Sequence, residues 1–312
     1  MDFSGEVLTS VHIQTATAGF CDTEKALSRR QSILLLGMMI GGAAVSAVPA
    51  HAAPVGAFTS PRLTVTRYGQ LGKNGRDIMF IPGLASGPSI WAGVVRAGLA
   101  GHRLHLVHIS GFAKRPAEAN ARGPLLQPVT DELARYIREN RLRTPAIIGH
   151  SMGGTLAMML GLRRDIAVNR IMVVDMLPDG AGMVGGTSAG LGYLAGQLNG
   201  YFTGTKAGRQ VLADMVARSP GGRDSDPRVL AQALAELAQT DLVPRLSRLS
   251  SPLEVVYAVP ADREMAAEQA RRYRAAYAKA PRAKLIGIGP SGHMVMLDQP
   301  ARFLRTVENF LR

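Results

Sequence analysis

Cysteine is nearly absent from this chain: Cys21 is the only one in 312 residues. A disulfide framework and any zinc site built from thiolates are thereby excluded. Aromatic residues are also scarce, at 5% with a single tryptophan, and the arginines of the helical segments (Arg135, Arg138, Arg141, Arg163, Arg164, Arg271, Arg272 and Arg274) carry no aromatic stacking platform among them. No nucleic-acid partner is expected on that ground. Acidic residues are few, 23 against 36 Lys and Arg, leaving a formal charge of +13. The arginines read as solvated helix faces, with weak association to an anionic envelope surface as the other reading. Apolar residues at 46% and charged residues at 19% supply ample material for a core. Disorder and collagen-like structure are excluded.

Long hydrophobic runs are missing too. The apolar stretch Ile33 to Val48 has 16 residues, short of the roughly 20 that a membrane-spanning helix needs. It is preceded by Ser28-Arg29-Arg30-Gln31-Ser32-Ile33-Leu34 and followed by Ala50-His51-Ala52. A charged segment, an apolar segment and a small-x-small site in that order make a cleavable export signal, and Ser-Arg-Arg-x-x-Ile-Leu resembles the twin-arginine type. Residues 1–52 are thus expected to be a signal peptide, with the twin-arginine export machinery and signal peptidase as partners and a periplasmic or secreted destination. Cleavage after Ala52 removes four acids (Asp2, Glu6, Asp22, Glu24), three bases (Lys25, Arg29, Arg30) and Cys21. The remaining chain, at +14, has no thiol, which suits an oxidising compartment.

From about residue 62 onward, strand-like and helix-like segments alternate, the pattern of an α/β fold with a mostly parallel central sheet flanked by helices. Arg62 to Tyr68 alternates as an edge strand does. Ile78 to Ile81, Leu104 to Ile109, Ala146 to Ile148, Ile171 to Val174 and Leu253 to Val259 are short apolar runs rich in β-branched residues, as buried strands are. Helical spacing appears in Val129 to Ile137, Met152 to Leu162, Glu264 to Tyr277 and Phe303 to Leu311. Residues 177–245 break the rhythm, because they separate two strands by far more than a crossover needs. Ten glycines fall between Gly180 and Gly208. The segment reads as an inserted cap, glycine-rich in its first half and helical in its second (Val229 to Leu237), dividing the core into residues 53–176 and 246–312.

The chemistry concentrates at Gly149-His150-Ser151-Met152-Gly153-Gly154, directly after one buried strand and directly before an apolar helix. This is Gly-x-Ser-x-Gly in strand-turn-helix context, in which the flanking glycines permit a turn too tight for side chains and the serine hydroxyl is presented above the sheet. With this feature, residues 62–312 resemble the α/β-hydrolase superfamily, and three further segments bear on the likeness. Phe80-Ile81-Pro82-Gly83-Leu84-Ala85-Ser86 is similar to the family's oxyanion loop, with Pro82 where many members have histidine. The resemblance implies backbone amides of Leu84 and Met152 as oxyanion donors. Ser110-Gly111-Phe112 resembles a degraded form of the family's Asp-x-Pro-Gly-Phe-Gly turn. Ser291-Gly292-His293, followed by Asp298-Gln299-Pro300, resembles the segment carrying the base, here His293. For the acid, Asp262 follows a strand at the family position, giving the order Ser151, Asp262, His293, and Asp175 at the end of the preceding strand is the alternative.

The resemblance implies an exported serine hydrolase acting on a carboxylic ester through an acyl-enzyme, without cofactor or metal. Lactonases, amidases, aminopeptidases and C–C bond hydrolases use the same triad, and a non-catalytic binding protein on this scaffold is the remoter reading. His102, His105 and His108 lie on or beside a strand where residues three apart face opposite sides, which argues against metal ligation. His150 is expected to pack behind the nucleophile. Trp91, Tyr201 and Phe202 are the expected contacts of an apolar small-molecule substrate.

Overall fold

The computed structural model describes residues 53–54, 58–180 and 222–312, all within one compact unit, Met38–Arg312. Residues 1–52, expected to be a signal peptide, the glycine-rich half of the segment expected to be a cap, Tyr201 and Phe202 lie outside the described residues.

Eight strands form one sheet in the order β1-β2-β4-β3-β5-β6-β7-β8. They are β1 (Ala53–Pro54), β2 (Leu63–Tyr68), β3 (Asp77–Ile81), β4 (Arg103–Ile109), β5 (Ala146–His150), β6 (Arg170–Val174), β7 (Leu253–Ala258) and β8 (Lys284–Ile288). β1 and β2 are antiparallel to their neighbours; β4 through β8 run parallel. Helices cover both faces: α1 (Ala92–Ala97), α2 (Leu126–Glu139), α3 (Met152–Gly161), α4 (Pro227–Gln239), α5 (Arg263–Ala276), α6 (Val295–Asp298) and α7 (Pro300–Leu311).

The apolar strand runs are explained by burial on both sides, since successive side chains alternate between faces. Ile78, Phe80, Ile148, Met172, Val174 and Val256 pack with Trp91, Val94, Phe303 and Phe310 on one face. Met79, Ile81, Ile147, Val173 and Val255 pack with Leu133, Leu156 and Tyr273 on the other. β8 escapes the sequence reading because it is an edge strand, where partial exposure removes the need for a continuous apolar run. The first turn of α2 accommodates Pro128 because amides there have no partner within the helix. Glu236 on α4 meets this need from outside, its carboxylate accepting from the amides of Leu125 and Leu126 at 2.7 and 2.8 Å.

Backbone pairing joins the ends of the inserted segment: the Gly180 amide donates to Thr240 O at 3.0 Å and the Leu242 amide to Pro178 O at 2.9 Å. Its second half is seated on the turn after β4. The Asp226 amide donates to Gly111 O, Ser225 Oγ accepts from the Ala113 amide, and a side chain at Gly111 would strike Val229 of α4 at 2.7 Å. The Ser110-Gly111-Phe112 turn thus anchors the insertion.

Candidate active site

Strand β5 ends at His150, helix α3 begins at Met152, and Ser151 alone makes the turn between them. It does so at φ 52°, ψ −123°, outside the regions a non-glycine residue ordinarily occupies, so the elbow holds backbone strain on the order of 1–3 kcal/mol. Its amide donates to Val174 O of β6 at 2.9 Å, while its carbonyl accepts from the Gly154 amide at 2.7 Å. The turn is close enough to need bare backbone on both sides. A Cβ on Gly149 would lie 2.0 Å from Gly153 O, and one on Gly153 would lie 2.2 Å from Ile81 O. Ser151 is half-buried and stands at the N-terminus of α3, the positive end of the helix dipole.

His293 comes from the loop between β8 and α6. That loop is ordered by Asp298, whose Oδ2 accepts from the Gly292 amide at 2.8 Å and from Ser291 Oγ at 3.3 Å. The His293 ring lies beside the elbow: its centroid is 4.5 Å from that of His150, and His150 Nε2 donates to the His293 carbonyl at 3.0 Å. Nδ1 of His293 is 2.7 Å from Asp175 Oδ2. A carboxylate only accepts, so Nδ1 carries the proton and Nε2 of the neutral ring is left with a lone pair. Asp175 is 1% exposed. Burial pushes its carboxyl upward, but the hydrogen bond and charge of His293, the Ala258 amide and the Tyr273 hydroxyl together outweigh it and hold the group below the usual carboxylate range.

The carboxylate paired with the histidine is therefore Asp175 and not Asp262. Asp262 is exposed and caps α5, its Oδ1 accepting from the Met265 amide at 2.8 Å. An Asp followed by a helix is as good an N-cap as it is a catalytic acid, and here the helix claims it. Asp175 reaches the histidine because it terminates β6, next to β5 in the sheet, at φ 49°.

The segment after β3 folds back toward the elbow. The Ser86 amide donates to Gly83 O at 3.2 Å, with Ala85 at φ 58° in the turn. A Cβ on Gly83 would meet His150 Nδ1 at 2.9 Å and Ser151 Cβ at 3.0 Å, so this loop lies directly against the serine. Among the described residues the amides of Leu84 and Met152 have no hydrogen-bond acceptor, as the first-turn amide of a helix does not. His150 is fully buried and stays neutral, its pKa lowered to about 3 by burial first and by neighbouring His293 second.

Trp91 departs from expectation. It is completely buried, 5.2 Å from Phe80 and 6.1 Å from Phe303 between ring centroids, so the indole is part of the core. A large apolar side chain leading into an amphipathic helix is as readily core as pocket. His102, His105 and His108 have separate partners: the Arg76 amide, Asp77 with Tyr136, and the Phe112 carbonyl. Among the described residues no cluster of three or more His, Cys, Asp or Glu could hold a metal.

A hydroxyl on a strained turn, a histidine oriented by a buried carboxylate and, among the described residues, two backbone amides without an acceptor form a set able to carry out acyl transfer. Together with a parallel sheet covered by helices on both faces, they define the α/β-hydrolase class. The chain belongs to the alpha/beta hydrolase family, whose family model matches residues 78–306. Its relatives include the pimeloyl-[acyl-carrier protein] methyl ester esterases of Aliivibrio salmonicida, 27% identical over 62% of this chain and 78% of that protein, and of Nitrosomonas europaea, 26% identical over 74% and 94%. Among solved structures, MenH from S. aureus shares the fold with a TM-score of 0.62 at 15% identity, over 81% of this chain and 98% of that one. The likeness to these relatives supports an esterase-type hydrolase.

Proposed function

We propose that this protein is an exported serine hydrolase that cleaves a carboxylic ester of an apolar acyl group through Ser151, His293 and Asp175. The observation that carries the reading is the 2.7 Å contact of His293 Nδ1 with buried Asp175 beside the strained Ser151 elbow. Nε2 of His293 takes the Ser151 Oγ proton as Oγ adds to the ester carbonyl. The amides of Leu84 and Met152 stabilise the oxyanion. Collapse of the tetrahedral adduct expels the alcohol, which leaves with the proton held on Nε2. Water then adds to the acyl-enzyme with His293 again as base, releasing the acid and restoring Ser151. Asp175 stays ionised throughout and stabilises the imidazolium.

Two relatives are named for the methyl ester of an acyl chain, and this favours an apolar acyl group with a small alcohol as leaving group. Export is supported by Arg29-Arg30, the apolar run and Ala50-His51-Ala52, and Ala53, the first residue after that site, already pairs with Arg67 of β2. The test is labelling with a fluorophosphonate. Purified protein should be modified at Ser151 and lose esterase activity in parallel; modification elsewhere, or full activity after Ser151 is labelled, refutes the mechanism.

A further inference from the structure

Helix α5 does more than carry the capping Asp262. Tyr273 and Tyr277, one turn apart and therefore on one face, are both fully buried and stacked with ring centroids 6.4 Å apart. Their hydroxyls go to consecutive residues of one turn. Tyr273 donates to Asp175 Oδ1 at 2.9 Å, and Tyr277 donates to the Met176 carbonyl at 2.8 Å. Tyr257 of β7 stacks on Tyr273 at 4.8 Å, fixing the ring from the sheet side.

We propose that Tyr273 and Tyr277 are positioning residues that clamp the β6 turn, so that Asp175 presents only Oδ2 to His293. The inference rests on the reading of Ser151, His293 and Asp175 as the reacting set. A carboxylate turning about its Cβ–Cγ bond can offer either oxygen. Here Oδ1 already accepts from the Ala258 amide at 2.9 Å and from Tyr273, two donors that converge from β7 and α5 and stop that rotation. The backbone at Asp175 is left-handed, a conformation that needs support from its surroundings. Tyr277 supplies it one residue later, and the Asp175 amide is tied to Val256 O at 2.7 Å. Burial first, and the Asp175 charge second, push both phenols well above their ordinary range, so both remain donors at any working pH. The groups facing Asp175 are thus His293, Tyr273, the Ala258 amide and, more distantly, neutral His150 and Tyr277. With the acid on β6, the α5 face that borders it is given over to holding it.

Phenylalanine at either position keeps ring and packing while deleting one hydroxyl. Tyr273→Phe is expected to lower kcat about 10-fold, the order expected for losing one hydrogen bond to a charged group, with KM for a short ester unchanged. The acid limb of the kcat/KM profile should also move to higher pH, because a carboxylate relieved of one donor keeps more of its charge for the imidazolium. Tyr277→Phe touches backbone only, so kcat should fall about 2- to 5-fold with the limb in place. A purely structural role would lower the melting temperature and leave kcat and the limb at wild-type values; that result for Tyr273→Phe overturns the proposal. If Tyr273→Phe gives no folded protein, unchanged kcat in Tyr277→Phe overturns it. Asp175→Asn, measured alongside, separates the two levels: full turnover there refutes the triad itself, whereas loss there with a silent Tyr273→Phe refutes only the clamp.

Discussion

Replacing Asp175 by asparagine is the most demanding test of the site, because the surroundings dictate how the new amide must sit. Oδ1 accepts from the Ala258 amide and from Tyr273, so the carbonyl oxygen of the asparagine has to take that position. Its NH2 group is then directed at His293 Nδ1, where Oδ2 stood at 2.7 Å. A donor there forces Nδ1 to become the acceptor and places the proton on Nε2. That tautomer cannot take a proton from Ser151, and the negative charge that stabilises the imidazolium is gone as well. A wrong tautomer in such a triad costs on the order of 10⁴ in kcat. At about 1.36 kcal/mol per factor of ten this is roughly 5 kcal/mol of transition-state stabilisation. Asp262→Asn is the control: asparagine caps a helix as well as aspartate does, so the Met265 amide keeps its acceptor and kcat should stay within about 2-fold of wild type. The assay is steady-state hydrolysis of a p-nitrophenyl ester by both purified variants, with circular dichroism to confirm folding. Asp175→Asn retaining a tenth of wild-type turnover, or Asp262→Asn losing more than Asp175→Asn, refutes the reasoning.

Ser151→Ala and His293→Ala should each lower kcat by roughly 10⁴- to 10⁶-fold with the fold intact, since the two act as one unit; turnover within 10-fold of wild type for either would exclude the mechanism. Gly153→Ala places a methyl group 2.2 Å from Ile81 O and 2.7 Å from Pro82 O. Neither backbone oxygen can yield cheaply, so a loss of about 2 kcal/mol or more is expected, seen as a melting temperature lower by roughly 4–8 °C. Acid should destabilise the protein from near neutrality downward. His150 has its pKa lowered to about 3 from 6.5, so below pH 6.5 the unfolded chain binds a proton that the folded one refuses. Stability present above pH 6.5 is therefore lost progressively toward pH 3, by about 5 kcal/mol from this group alone. Buried His105 and half-buried His108 act in the same direction. Urea unfolding at stepped pH reads this slope, and a flat profile between pH 6.5 and 4 would contradict it. Arg29→Lys with Arg30→Lys should leave precursor in the cytoplasm, while N-terminal sequencing of the exported wild type should begin at Ala53; undiminished export of the double variant would point away from the twin-arginine route.

Those parts of this protein whose requirements are local can be read from its residues alone. Gly149 precedes Ser151 because a side chain there would strike the Gly153 carbonyl only four residues on, and continuous apolar runs appear wherever a strand is covered on both faces. The α/β architecture and the elbow were legible for that reason, whereas the loop after β3 and the histidine segment were picked out by their resemblance to the α/β-hydrolase superfamily. Tertiary structure alone decided which carboxylate meets His293. Asp175 and Asp262 both follow strands, and the choice depends on the register of β6 beside β5 and on whether a helix start or a histidine claims the side chain. It decided too that Trp91 is core and that Lys284 to Ile288 forms an edge strand, since burial depends on what arrives from elsewhere in the chain. Tyr273 and Tyr277 carried no sequence signal beyond apolar helical spacing. Their hydroxyls gained a role only when α5 was laid against the end of β6, about a hundred residues away in the chain.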